Sequence, residues 1–333
     1  MSIDKQHLAT LLEQISENIA DFNVESCAGG GNNRVFILSN HKQKFVVKWY
    51  YSHPSDTRKR LQAEYGFLQY TKKLGLNNVP KALACLPEHN LALYEFIEGK
   101  KLNASEVSEN RIIEAAQFFA QLNKPENRKY AQHILNASDA CFSVHEHIIS
   151  VQKRAAKFIE GLDPADTIVW EFATKLNNKL YEISNSIEAA ANKSINTPLE
   201  IELRCISPSD FGFHNALLQA SDTLCFIDFE YAGWDDPAKM VCDFFCQPDI
   251  PADVTYIDYF INHALNFTED LEPVKERVHL LLPLNKIKWC FILLNEFLPD
   301  SARRRQFANS DFDLHGRKIL QLAKATTLFD SII

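Results

Sequence analysis

The apolar residues of this chain change their spacing at Gly99, and that change restricts the folds open to it. Before Gly99, short runs rich in Val, Ile, Phe and Tyr occur at 22–27, 35–38, 45–51, near 81–85 and at 91–96, divided by polar turns. Such runs read as strands. Leu8, Leu11, Leu12, Ile15 and Ile19 recur at helical spacing, and a second helix is predicted over 57–74, closed by Gly75 as a C-cap. After Gly99 the helical period dominates, at 112–122, 141–159, 167–191, 253–267 and 274–298, with one β-rich island at 199–229. A small strand-rich lobe followed by a larger helical one is an α+β arrangement. We expect residues 1–98 to form an N-lobe with a five-stranded antiparallel sheet, and 99–333 a mainly helical C-lobe. The polar stretch 124–136 is expected to be a long exposed loop.

Bulk properties narrow the function. The formal charge is −8, opposite to the basic excess by which nucleic-acid binders neutralise phosphate. The chain contains eight cysteines and no C-x-x-C pair. Cys242 and Cys246 stand one helical turn apart but lack the two further ligands of a zinc site, so all eight are expected to be buried thiols in a reducing compartment. The polar, amphipathic start has no signal-peptide core, and no apolar run approaches the ~20 residues of a membrane helix. The expectation is a cytoplasmic protein with no nucleic-acid or membrane partner and no obligate protein partner.

The island 199–229 holds the residues that suggest chemistry. Asp210 and Asn215 lie five positions apart, and Asp228 follows Asp210 by 18. Apolar segments at 216–218 and 224–227 flank the turn 219–223, which predicts a hairpin whose ends bring Asn215 and Asp228 together. A carboxylate beside a side-chain amide offers hard oxygen ligands suited to Mg²⁺. Asp210, just before them, is placed to accept a proton from an attacking hydroxyl. Taken singly each residue has a plainer reading, as a helix cap, a turn residue or a solvated charge. Their joint order favours phosphoryl transfer.

At this point a resemblance becomes specific. Asp210-x-x-x-x-Asn215 and Ile227-Asp228-Phe229-Glu230-Tyr231-Ala232-Gly233-Trp234-Asp235-Asp236-Pro237 resemble the two motifs of the aminoglycoside phosphotransferase and choline kinase superfamily, small-molecule kinases with a protein-kinase-like bilobal fold. The resemblance spans about residues 22–245. It implies ATP and Mg²⁺ as cofactors, Asp210 as the catalytic residue, and Asn215 and Asp228 as metal ligands. It also implies that Lys48, in Val46-Val47-Lys48, anchors the nucleotide phosphates and pairs with Glu64. Gly29, Gly30, Gly31 and Asn33 resemble the phosphate-approaching loop, and Glu95, Phe96 and Ile97 the hinge that reads adenine. One departure stands out: Pro208 occupies the position where the family usually carries histidine. His214 reads as a packing residue, Asp243 as a buttress accepting backbone hydrogen bonds from the catalytic loop, and Arg303-Arg304-Arg305 as a solvated helix face.

The acceptor stays open between an amino alcohol, a sugar, an amino sugar and an aminoglycoside. Trp170, Trp234 and Trp289 are candidates for a cage around a quaternary ammonium, though each also reads as plain core. The contrasting functional reading is a non-catalytic, kinase-like nucleotide-binding or scaffolding module.

Overall fold

A computed structural model describes residues 3–27, 31–191, 194–266, 268–309 and 313–332. Helix α1 (Lys5–Glu13) starts where the Asp4 side chain accepts the Gln6 N–H, and it buries Leu8, Leu11 and Leu12. Five strands follow: β1 (Asn23–Cys27), β2 (Arg34–Ser39), β3 (Lys44–Trp49), β4 (Ala82–Leu86) and β5 (Leu91–Glu95). They form one antiparallel sheet in the order β1-β2-β3-β5-β4. Helix α2 (Arg60–Lys73) connects β3 to β4.

Alternation along the strands decides what each face of the sheet does. Val47, Leu91 and Leu93 face one way and pack with Leu8, Leu11 and Leu12 of α1. Ala92 and Tyr94 face the other way and join Phe67 and Leu68 of α2 in the main core. Lys48 therefore points to the side opposite α1, toward α2 and the second lobe.

The C-lobe opens with β6 (Lys100–Lys101), α3 (Glu109–Leu122), α4 (Val144–Gly161) and α5 (Thr167–Ala191). Four short strands come next: β7 (Cys205–Ser207), β8 (Ala216–Leu218), β9 (Leu224–Phe226) and β10 (Gly233–Asp235). Then follow α6 (Pro237–Cys246), α7 (Ile257–Ala264), α8 (Glu272–Leu294), α9 (Pro299–Ala308) and α10 (Leu314–Asp330). Helix α8 is the axis of this lobe, packed by α4, α5, α6 and α10. The small sheets β6-β8-β9 and β10-β7 lie at the junction of the lobes. The architecture is the expected α+β one: a five-stranded antiparallel sheet followed by a mainly helical remainder.

Some local expectations need correction. The stretch 124–136 is largely exposed, as expected, but it is not featureless. It holds a 3₁₀ helix (Pro125–Tyr130) and a fully buried Ala131, and then runs beside β10. There the Trp234 N–H donates to the Leu135 carbonyl and the Ala137 N–H to the Trp234 carbonyl, both at 2.9 Å. The approach is close enough that a Cβ on Gly233 would lie 2.4 Å from backbone atoms of Leu135 and Ala137, so only glycine fits. Cys27 is exposed and Cys85 half-buried, so six cysteines rather than eight are buried. The helix expected over 253–267 divides into a 3₁₀ turn (Val254–Tyr256) and α7. Among the described residues no helix is long and apolar enough to cross a membrane.

Candidate active site

The segment between β7 and β8 is held by its aromatic residues. Phe211 and Phe213 are buried, and their rings meet Phe118, Phe226 and Phe244. These two anchors flank Gly212 and leave Asp210, whose side chain is 35% exposed, at the surface of the cleft. Ser209 and Asp210 have φ of 51° and 29°, a left-handed conformation that β-carbon crowding disfavours. Such strain persists where surrounding structure imposes it, and it concentrates at functional sites. Part of the imposition comes from Ser207, fully buried, whose Oγ accepts the Ser209 N–H at 3.0 Å across Pro208. A serine thus braces the loop from the position before the proline.

The predicted hairpin forms, with Ala216 opposite Phe226 and Leu218 opposite Leu224. Beyond it, Ile227 N–H donates to the Asn215 carbonyl (2.9 Å), which sets Asn215 beside Asp228. Asn215 Nδ2 donates to the Asp210 carbonyl at 3.0 Å and approaches its Oδ2 at 3.4 Å. Asp210, Asn215 and Asp228 are therefore neighbours. His214, expected only to pack, also stands at this site: Nε2 lies 3.4 Å from Asp210 Oδ1, and its buried Nδ1 has no partner among the described residues.

From the N-lobe, Lys48 Nζ reaches Glu64 Oε1 (2.6 Å) and Asp228 Oδ1 (2.8 Å). Burial alone would lower the lysine, but the two carboxylates more than offset it and hold its pKa above the usual range, so it stays charged. Asp228 is pushed up by burial and pulled further down by Lys48. Glu64 is buried and raised, chiefly by desolvation, although Lys48 and the Tyr50 hydroxyl (2.7 Å to Oε2) donate to it. Asp228 has φ of 68°. Next to it Phe229 is buried against Phe67 of α2 at 4.5 Å between ring centroids, so the aspartate's backbone is tied to the helix that carries Glu64.

Gly29 and Gly30 lie outside the described residues. Gly31 offers its carbonyl to Arg305 of α9. Asn33 does not reach outward: it is 5% exposed, its Nδ2 donates to Glu230 Oε2 (2.7 Å) and its Oδ1 accepts from Tyr51 N–H (3.2 Å). Asn32 adds a bond to Glu230 Oε1 at 2.6 Å. Both asparagines thus fasten the segment before β2 to the one after Asp228. Glu95 ends β5 and pairs with Lys81, Phe96 lies under Lys44 Nζ at 5.0 Å, and Ile97 continues the four-residue passage to β6.

Asp243 does not accept backbone bonds from the catalytic loop as expected. Its Oδ1 takes Lys288 Nζ and Trp289 Nε1, and Oδ2 lies 3.4 Å from Lys239, which also binds Asp235 at 2.6 Å. Beside this group Asp236 caps α6 and accepts from His147 (3.0 Å) and Arg277 (2.7 Å). Sequence reading had no signal for these partners, which come from three different helices, α4, α6 and α8. Burial pushes both carboxyls up. Lys288 and Lys239 outweigh it at Asp243, and His147 and Arg277 at Asp236, so each falls to about 2. A depressed aspartate stabilises the fold fully above its unfolded pKa of about 3.9 and ceases to do so as pH falls through the folded value. Melting curves of wild type and Asp236→Asn should differ at pH 5 by about 2 kcal/mol from this source, and the gap should close between pH 4 and 2. A gap independent of pH would show that the charge is not the cause.

The tryptophans do not form a cage. Trp234 is covered by Arg128 at 4.9 Å, Trp289 is buried on Asp243, and Trp170 donates to the Asp163 carbonyl.

The fold is bilobal and protein-kinase-like, and comparisons with known proteins agree with it. The whole chain superposes on a spectinomycin phosphotransferase solved with ADP and spectinomycin (TM-score 0.64, 11% identity, 98% of this chain and 99% of that one). It likewise superposes on choline kinases from Cryptosporidium parvum Iowa II (0.61, 15%, 98% and 97%) and Streptococcus pneumoniae (0.60, 15%, 98% and 97%). Residues 23–132 match the phosphotransferase enzyme family. A sequence search of curated proteins finds no significant match. The family match over 23–132 and the fold agree with the resemblance named from the sequence, and together they support a phosphotransferase.

Proposed function

We propose that this chain transfers the γ-phosphoryl group of ATP to a hydroxyl of a small molecule, with residues 1–98 as the nucleotide-binding lobe and 99–333 as the lobe that holds the acceptor. The observation that carries the reading is the meeting of Lys48, Glu64, Asp210, Asn215 and Asp228 at the junction of the lobes. Asp210 orients the acceptor hydroxyl and receives its proton, on a loop already fixed by Phe211 and Phe213. Lys48 holds the α- and β-phosphates, and Glu64 keeps the lysine in place. Residues 29–33 approach the phosphates through their backbone, and Glu95, Phe96 and Ile97 line the adenine. Asn215 Oδ1 and Asp228 Oδ2 accept no hydrogen bond among the described residues, and two free hard oxygens side by side suit Mg²⁺. When bound with the nucleotide, that ion would neutralise phosphate charge. What the protein contributes is mainly position and preset electrostatics.

A phosphate-transfer screen over amino alcohols, sugars, amino sugars and aminoglycosides, with ATP and Mg²⁺, tests the reading. It should find at least one acceptor consumed stoichiometrically with ATP. Absence of any nucleotide-dependent rise in melting temperature would instead support the non-catalytic module.

A further inference from the structure

The run Arg303-Arg304-Arg305 lies on α9, and only Arg303 behaves as a solvated face, 57% exposed and paired with Asp300. Arg305 turns to Glu296 and to the carbonyl of Gly31. Arg305 and Gly31 bring α9 beside Asn32 and its partner Tyr231, where Arg58, two residues before α2, and Arg60, its first residue, already gather. Their guanidinium carbons lie 5.6 and 5.9 Å from the Tyr231 ring, and the tyrosine hydroxyl accepts from Asn32 Nδ2 at 2.8 Å.

The charges here do not balance. Asp56 binds Arg58 through both oxygens (2.7 and 2.6 Å) and Arg60 at 2.6 Å. Glu230 stands 3.2 Å from Arg60 Nε and is otherwise occupied by Asn32 and Asn33. Among the described residues no carboxylate pairs with Arg304. Its one side-chain bond is to Ser301 Oγ at 3.1 Å, and its buried Nε donates to nothing among the described residues. Three guanidinium ions thus share two carboxylates. Burial, and then the positive charges of Arg58, Arg305 and Arg60, press Arg304 below its ordinary range. A buried donor left unused beside like charges costs stability unless an anion completes it. Arg58, 36% exposed, gives that anion a way in.

The position relates this cluster to the reacting centre. Tyr231 follows Asp228 by three residues, and Asn32 bonds both Glu230 and Tyr231. We propose that Arg304, with Arg58 and Tyr231, receives an acid group, phosphate or carboxylate, carried by the acceptor. The proposal rests on the phosphotransferase reading and names its substrate class: a small hydroxyl compound bearing an acid group, not a quaternary amine or a polycationic antibiotic. A guanidinium fork matches either acid group with two parallel bonds.

The test uses the full chain in two assays. In the first, calorimetry at constant ionic strength measures inorganic phosphate binding without nucleotide, for wild type, Arg304→Gln, Arg304→Lys and the neighbouring control Arg303→Gln. Wild type and Arg303→Gln should bind alike, Arg304→Gln should bind about tenfold more weakly or worse, and Arg304→Lys should recover part of the loss. Arg304→Gln should melt no lower than wild type, because the arginine's burial is uncompensated. In the second, steady-state kinetics compares hydroxy acids and sugar phosphates with choline and aminoglycosides. The KM of an acidic acceptor should rise by a similar factor in Arg304→Gln while that of ATP holds.

Phosphate binding indifferent to Arg304 would overturn the site. A rise in the KM of ATP instead would assign the cluster to the nucleotide, and phosphate that merely modulates turnover of an uncharged or cationic acceptor would make it an effector site; either result overturns the proposal. If ATP is neither bound nor consumed, the phosphotransferase reading itself falls, a result the phosphate assay cannot produce.

Discussion

Asp210→Asn is expected to lower turnover by about 10²- to 10⁴-fold, the range over which a positioned general base acts. The substitution keeps the shape of the side chain and leaves the bond from Asn215 to the residue 210 carbonyl in place, so the loop should stand. What disappears is the acceptor for the hydroxyl proton. Asp228→Ala should cost at least as much, since it removes an oxygen beside Asn215 and one of the two carboxylates that hold Lys48. Steady-state kinetics with saturating ATP and Mg²⁺, alongside a melting curve for each variant, measures both. An Asp210→Asn enzyme that folds and retains more than about a tenth of normal turnover would remove Asp210 from the role of base.

Asp243→Ala is expected to produce the largest loss of stability of any single change considered, about 3–5 kcal/mol. The residue lies on α6, where it takes bonds from Lys288 and Trp289 and lies close to Lys239. Lys239 keeps Asp235 after the substitution, whereas Lys288, 7% exposed, keeps no carboxylate. An uncompensated buried ammonium is the expensive outcome, not the loss of the pair as such. The melting temperature should fall on the order of 10 °C. The double variant Asp243→Ala/Lys288→Met should regain a good part of that fall. If the double variant is as unstable as the single one, the penalty arises from packing around Trp289.

How far the chain could be read in advance depended on whether each feature was local. Lys48 was legible only through the resemblance carried by Val46-Val47-Lys48, and the strand β3 then sets the face it occupies. Asp210, Asn215 and Asp228 were legible because one hairpin brings them together, and a hairpin is announced by its own turn. Helix α6 was missed because every residue of it is buried, which leaves no period to detect. The run Arg303-Arg304-Arg305 does lie on a helix, as read, but the extent of α9 was not legible, because it is held by Arg305, by the Arg34 bond to the Phe307 carbonyl and by the Phe307 ring. The inward turn of Asn33 and the partners that α8 brings to Asp243 depend on contacts between distant segments. Propensity and spacing carry no information about such pairings.

Phe307 wedges between Trp49 and Tyr51 at 5.5 and 5.4 Å, so a helix from the far end of the chain is riveted onto the sheet of the other lobe. The passage 96–99 between β5 and β6 is therefore not the sole tie between the sheet and the helical lobe. Each widening of the cleft has to unseat this ring and strip Arg34 and Arg305 of their carbonyl partners. Aromatic burial of this kind resists by about 1–2 kcal/mol, enough to make breathing of the two halves an infrequent event whose rhythm α9 sets.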